Sequence, residues 1–266
     1  MTMNISHLRN IFALKNRHIL ITGASRGLGS VSARAFSEQG SILALMARSK
    51  DDLEDVRRSC KSPEKHLSIP ADLTDMDALN NSIVKAKEFL GELDVVLHVA
   101  GGGLGFREPL IKQDDLLKIF SLNVGVAAEI NRLVVPDMRK RKKGNLVHVA
   151  SIASIEATGS VGYNTSKAAL AAYVRTLGNE LMSYGIVVTG ILPGGFSAPG
   201  NAMERLKANK PEVLKKFIED RLPRKRMAMS DELIPLLLFL CSEAASMMGG
   251  CLVPIDAGEG KSYLRT

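Results

Sequence analysis

Seven apolar runs recur along the chain: His18–Thr22, Ile42–Ala47, Lys65–Ile69, Leu93–Ala100, Asn145–Ser151, Ile186–Leu192 and Cys251–Ile255. They are nearly continuous in apolar residues, the pattern of strands covered on both faces. Between them lie longer stretches with one apolar stripe at helical spacing. That alternation predicts an α/β fold, a doubly wound, mostly seven-stranded parallel sheet with helices on both faces. Ser49-Lys50-Asp51-Asp52 and Thr74-Asp75-Met76-Asp77 have the capping-box form, and Gly40, Gly91, Gly144 and Gly185 fall where a helix should give way to a strand.

The alternation starts near Arg17 and continues without a linker, so residues 1–16 are expected to be an extension packed loosely on a single domain spanning 17–266. From Gly194 to Met229 the strand signal disappears, and a segment of that length in an economical fold predicts a substrate lid over 194–229.

Composition narrows the partners. The 266 residues carry a formal charge of +7, yet aromatics are only 5% and tryptophan is absent, which argues against nucleic acid and toward an anionic cofactor. Cys60, Cys241 and Cys251 form no CxxC pair and the histidines no HExxH pattern, so no metal is expected and a reducing, cytoplasmic location is. Asn4, Ser6, His7 and Arg9 precede any apolar run, unlike a secretory signal, and Leu233–Cys241 is too short to span a bilayer, so no membrane association is expected.

The first strand ends in Thr22-Gly23-Ala24-Ser25-Arg26-Gly27-Leu28-Gly29, after which helical periodicity begins. Such a strand–turn–helix lets backbone approach a pyrophosphate and aims helix amides at it, the arrangement of a Rossmann-like dinucleotide site. The second strand ends at Ala47-Arg48, where an NAD site commonly has an acid. Arg48, with Arg26 inside the turn, suits a ribose 2′-phosphate instead, and the expected cofactor is NADP(H).

Tyr163 and Lys167 lie one helical turn apart, with Ser151 upstream at a strand end. A free tyrosine, with a pKa of about 10, is a poor acid or base at neutral pH, and an ammonium on the same helix face is expected to lower it. Ser151 can hydrogen-bond a substrate oxygen as charge develops. Asn123, a polar residue in the apolar stretch Leu122-Asn123-Val124, reads either as a helix distortion or as a link in a proton path.

From about Arg17 to Gly258 the chain resembles the single-domain short-chain dehydrogenase/reductase family, of the NADP-preferring type. The resemblance implies a catalytic tetrad of Asn123, Ser151, Tyr163 and Lys167. Tyr163 would donate the proton during reduction, Lys167 would bind the nicotinamide ribose, and Asn123 would hold a relay water. It implies cofactor contacts from Gly23, Ser25, Arg26, Gly27, Leu28, Gly29, Arg48, Asp72, Leu73, Ala100, Gly101, Tyr163, Lys167, Pro193, Gly194 and Phe196, with Asp72 near the adenine and Pro193-Gly194 closing over the nicotinamide. It also implies a homo-oligomer, tetramer or dimer. Three departures stand out. His98-Val99 replaces the family's usual Asn-Asn and puts the hydrogen bonding of the fourth strand in doubt, Ala198 replaces a threonine, and Asp256-Ala257-Gly258 replaces Asp-Gly-Gly.

The expected activity is hydride transfer between NADP(H) and a small-molecule carbonyl or secondary alcohol. Alternatives are a 3-oxoacyl-(acyl-carrier-protein) or acyl-CoA reductase, a sugar or nucleotide-sugar dehydrogenase, or a non-catalytic nucleotide sensor. The run Arg139–Lys143 reads as a solvated helix end rather than a nucleic-acid signal. The lid's Lys207, Lys210, Lys215, Lys216, Arg221, Arg224, Lys225 and Arg226 read either as a handle for an anionic substrate or as an exposed amphipathic face.

Overall fold

The computed structural model describes residues 11–262, so most of the predicted extension lies outside the described residues. Its last part is tied down. Leu14 is buried, Asn16 N–H donates to the Gly40 carbonyl and the Ser41 hydroxyl to that of Leu14.

The strands are β1 (His18–Thr22), β2 (Ile42–Ala47), β3 (Leu67–Pro70), β4 (Val95–His98), β5 (Gly144–Val149), β6 (Ile186–Pro193), β7 (Phe196–Ser197), β8 (Ala228–Met229) and β9 (Leu252–Ile255). Seven of them form one parallel sheet in the order β3-β2-β1-β4-β5-β6-β9. The helices are α1 (Gly27–Glu38), α2 (Lys50–Ser59), α3 (Met76–Leu90), α4 (Gln113–Phe120), α5 (Val126–Arg141), α6 (Val161–Leu181), α7 (Ala202–Asn209), α8 (Pro211–Arg221) and α9 (Ile234–Leu240). Successive strand side chains point to opposite faces. Leu20, Val96, Leu146 and Val188 meet α3, α5 and α6, while Ile19, Ile21, Leu97 and Val147 meet α1, α2 and α9. The order reverses between β1 and β4, which opens a crevice at the carboxyl ends of the strands.

Boundaries move where local hydrogen bonds compete with the ladder. A turn at Pro63–Lys65 delays β3 to Leu67. The fourth strand stops at His98 because the next two amides, Val99 and Ala100, both donate to the Thr22 hydroxyl, at 3.1 and 3.2 Å. Neither predicted capping box forms among these helices. Thr74 turns its hydroxyl back to Asp72, leaving Asp75 to accept from the amides of Asp77 and Ala78. Ser49 makes no side-chain cap, and Asp51 and Asp52 complement the α2 dipole instead. The segment 194–229, expected to be strandless, contains the short parallel pair β7–β8.

The stretch Gln113–Arg141 is long and apolar enough to cross a membrane by length and composition. In this fold its Val126, Ile130 and Val134 pack on the sheet. The basic run at its end is paired: Lys140 with Asp137, Arg141 with Glu92 and Asp94, Lys143 with Glu243, and Arg139 over the Tyr184 ring. His98 keeps register with Thr22 and His148, so the unusual His98-Val99 leaves the β4 ladder intact.

Candidate active site

The glycine turn leaves the sheet between β1 and α1, and two of its glycines have no room for a side chain. A Cβ on Gly23 would lie 2.9 Å from Ala100 backbone, and one on Gly29 would lie 2.3 Å from the Gly23 carbonyl oxygen. Gly27, at φ +61°, faces open space, with no atom within 4 Å of an added Cβ. Leu28 and Gly29 follow in the first turn of α1, where amides have no helical carbonyl to serve. A tight turn, an open face and helix amides suit a dinucleotide pyrophosphate. The Gly27 amide itself donates to the Pro199 carbonyl at 2.8 Å, so the chain just after β7 reaches across the turn.

Arg26 and Arg48 are both exposed, and Arg26 lies against Gly200. Asp72 is exposed, its carboxyl lowered by hydrogen bonds from Thr74, with Arg48 acting in the same direction. Leu28 and Leu73 are buried among core residues, which leaves their backbones, not their side chains, to face a nucleotide. Ser25 and Phe196 are partly exposed, and Pro193 is the last residue of β6.

The four predicted catalytic residues converge at the other end of this crevice. Ser151 follows β5, accepts from the Ala153 amide at 3.1 Å and hydrogen-bonds the Tyr163 phenol. Lys167 is only 4% exposed, its Nζ lies 5.8 Å from the Tyr163 ring centroid, and it donates to the Val149 carbonyl at 2.8 Å. Gly101 lies between Lys167 and Asn123: an added Cβ would be 3.3 Å from Lys167 Nζ and 2.8 Å from Asn123 Oδ1. Asn123 sits in a π-turn, Ser121–Gly125, its amide donating to the carbonyls of Ile119 and Gly102, both at 2.9 Å, and accepting from the Gly102 amide at 3.0 Å. The helix distortion is therefore present.

Electrostatics here depart from expectation. Burial pushes the Tyr163 phenol up, and the hydrogen bond from Ser151 offsets that only in part. Burial likewise lowers Lys167 to about 8. Loss of water outweighs the attraction of the neighbouring ammonium, so the phenol holds its proton rather than releasing it.

Several residues at the site belong to none of the motifs in the sequence. The Tyr163 ring packs against Gly159, where an added Cβ would lie 2.8 Å from it, and also faces Gly103, where an added Cβ would sit at an ordinary 3.7 Å. The Thr22 hydroxyl, the Val149 carbonyl and Glu259 belong to the same region. A glycine four residues before Tyr163 was the available clue to the ring's narrow slot.

The chain is similar to known proteins over nearly its whole length. A family described as short chain dehydrogenase matches residues 17–209. The 3-oxoacyl-(acyl-carrier-protein) reductase of Thermotoga maritima is 27% identical, covering 92% of this chain and 98% of its own. Among solved structures, the L-sorbose reductase of Gluconobacter frateurii, complexed with NADPH and L-sorbose, is 27% identical with a TM-score of 0.85, covering 94% of this chain and 99% of its own. A 7α-hydroxysteroid dehydrogenase complexed with NADH and a 7-oxo bile acid is 26% identical with a TM-score of 0.86, covering 97% and 98%. A glycine turn facing a Ser–Tyr–Lys cluster at the strand ends, on a chain matched along nearly its whole length, places this protein in the short-chain dehydrogenase family, as an oxidoreductase acting on carbonyl or alcohol groups.

Proposed function

We propose that the protein is an NADP(H)-dependent reductase of a small carbonyl compound, with Asn123, Ser151, Tyr163 and Lys167 as its catalytic group. The observation that carries this is the Ser151–Tyr163 hydrogen bond with Lys167 behind it, opening on the crevice that begins at the glycine turn. The bound nicotinamide would supply the hydride. Tyr163 gives its proton to the substrate oxygen, a role suited to a phenol that burial keeps protonated. Ser151 donates a hydrogen bond to the same oxygen. Lys167, held by the Val149 carbonyl, orients the ribose and stabilises the phenolate left behind. Asn123 fixes the Gly102 backbone beside Lys167.

Arg26 and Arg48, at the ends of the first two strands with no carboxylate at Ala47 or Arg48, support a 2′-phosphate and hence NADP(H). Solved relatives hold either nucleotide, so this chain's own charges decide the reading. Three of the lid's basic residues are already paired, Arg221 with Glu259 and Arg224 and Arg226 with Glu232. Lys207, Lys210, Lys215 and Lys216 remain exposed, which supports an anionic substrate or acyl carrier as a second reading. Exposed Leu110, Leu117, Phe120 and Val161 around α4 and the start of α6 support a homo-oligomer, and three free cysteines support a cytoplasmic setting.

Loss of nicotinamide absorbance with NADPH and a panel of ketones tests the activity. Tyr163→Phe should reduce kcat by about 10²–10⁴-fold. Retained turnover in that variant, or preference for NADH, would overturn the respective halves of the reading.

A further inference from the structure

Glu259 lies beyond the last strand, outside the region that the family resemblance covers, and its carboxylate is buried, with only 3% of the side chain exposed. Its two oxygens serve different segments. One accepts from the Gly195 amide at 2.5 Å; the other is 3.2 Å from the Arg221 guanidinium at the end of lid helix α8. The segment that carries it is itself shaped by Asp256, which accepts from the amides of Gly258 and Gly260 at 3.0 Å and gives its carbonyl to Glu259 N–H at 2.9 Å. The fit is close. An added Cβ on Gly194 would come within 2.7 Å of the Glu259 carboxylate, and one on Gly195 within 3.0 Å of the Phe217 ring, over which Arg221 also stands, 5.5 Å from its centroid.

We propose that Glu259 is a positioning residue, a latch that joins the lid helix through Arg221 to the backbone immediately after Pro193-Gly194. A buried carboxylate is costly to leave unpaired, so each partner stabilises the contact made by the other. Opening of α8 would strip the cation from Glu259 and weaken its hold on Gly195, and the loop beside the nicotinamide site would loosen with the lid. Burial and the nearby Asp256 and Glu156 push this carboxyl up, while the Gly195 amide and Arg221 act in the opposite direction. Lid closure is thereby linked to the geometry of hydride transfer without Glu259 touching the reacting atoms. This consequence for hydride transfer rests on reading Pro193-Gly194 as the nicotinamide edge; the latch itself does not.

Hydrogen exchange on the full chain without nucleotide, followed in peptides spanning 194–198 and 211–222, separates the two. In Arg221→Met both peptides should exchange about tenfold faster, the scale of a lost charge-assisted hydrogen bond. Arg221→Lys should restore protection to within about twofold, because it keeps the cation. Glu259→Gln should match Arg221→Met, and the double variant should be no worse than either alone. Unchanged exchange at 194–198 in Arg221→Met, failure of Arg221→Lys to restore it, or additive effects in the double variant would overturn the latch. Should Glu259→Gln not fold, the Arg221 pair, at a partly exposed position, still decides. A chain that showed this coupling yet oxidised no NADPH with any ketone would instead overturn the proposed function.

Discussion

At the level of single residues the site is defined by what is left out. Tyr163 has its place because Gly159 carries no side chain, where a Cβ would lie 2.8 Å from the ring, and the gap between Asn123 and Lys167 exists because residue 101 has none. Gly101→Ala would place a methyl group 2.8 Å from Asn123 Oδ1 and 3.3 Å from Lys167 Nζ, so at least one of them must shift. Displacement of a catalytic group by about an ångström can cost on the order of 10²-fold. The variant should therefore fold with near-normal thermal stability yet lose about 10–100-fold in kcat with NADPH and a ketone. Wild-type kcat would mean that Asn123 and Lys167 do not act from these positions. Three of the four chemical groups, on Ser151, Tyr163 and Lys167, were readable in the chain because serine, tyrosine and lysine are named by their own chemistry. The direction of the Tyr163 shift was not, since it follows from how much water the folded protein removes, and that depends on residues far apart in sequence.

Among the elements, the long helix of 113–141 shows how one polar residue serves both fold and site. In a regular helix the Ile119 carbonyl would accept the backbone amide of residue 123; here the Asn123 side chain takes part in satisfying it, and the backbone opens into a π-turn. The remaining Asn123 bonds hold Gly102 at both its amide and carbonyl. Asn123→Ala leaves these groups without that partner, and should destabilise the protein by about 1–3 kcal/mol, read as a lower midpoint in urea. An unchanged midpoint would mean that the Asn123 side-chain contacts contribute nothing to stability. Apolar runs revealed seven strands and their order along the chain, because burial on both faces writes a continuous hydrophobic signal. Helix caps were less legible: Thr74 and Asp75 both fit the motif, and the choice turned on Asp72 claiming the threonine hydroxyl. The β7–β8 pair within 194–229 is two residues per strand, too short to show any period.

Across the whole molecule, the unusual His98 belongs to a polar layer buried between the sheet and helices α5 and α6. Its ring stacks on His148 at 4.5 Å, Asn131 bridges His98 at 2.9 Å and His148 at 3.3 Å and donates to the Tyr173 hydroxyl, and the far side of His148 meets the Thr189 carbonyl at 3.1 Å. Asn131 on α5 thus supplies the amide that the fourth strand lacks. Burial drives His98 down to about 4 and His148 well below its ordinary value, so both rings are neutral in the folded protein. The unfolded chain binds these protons near an ordinary histidine pKa of about 6.5, and the folded chain resists them. Stability from His98 is therefore fully present above that value and is lost as pH falls from about 6.5 toward 4, amounting to roughly 3 kcal/mol in all. Urea denaturation at about pH 7 and pH 4.5 should show a loss of this order, of which His98→Asn removes roughly 2–3 kcal/mol while leaving the His148 share. If wild type and His98→Asn lost stability in parallel across that interval, the buried imidazole would not be the source of the acid sensitivity, and the layer would be held by packing alone.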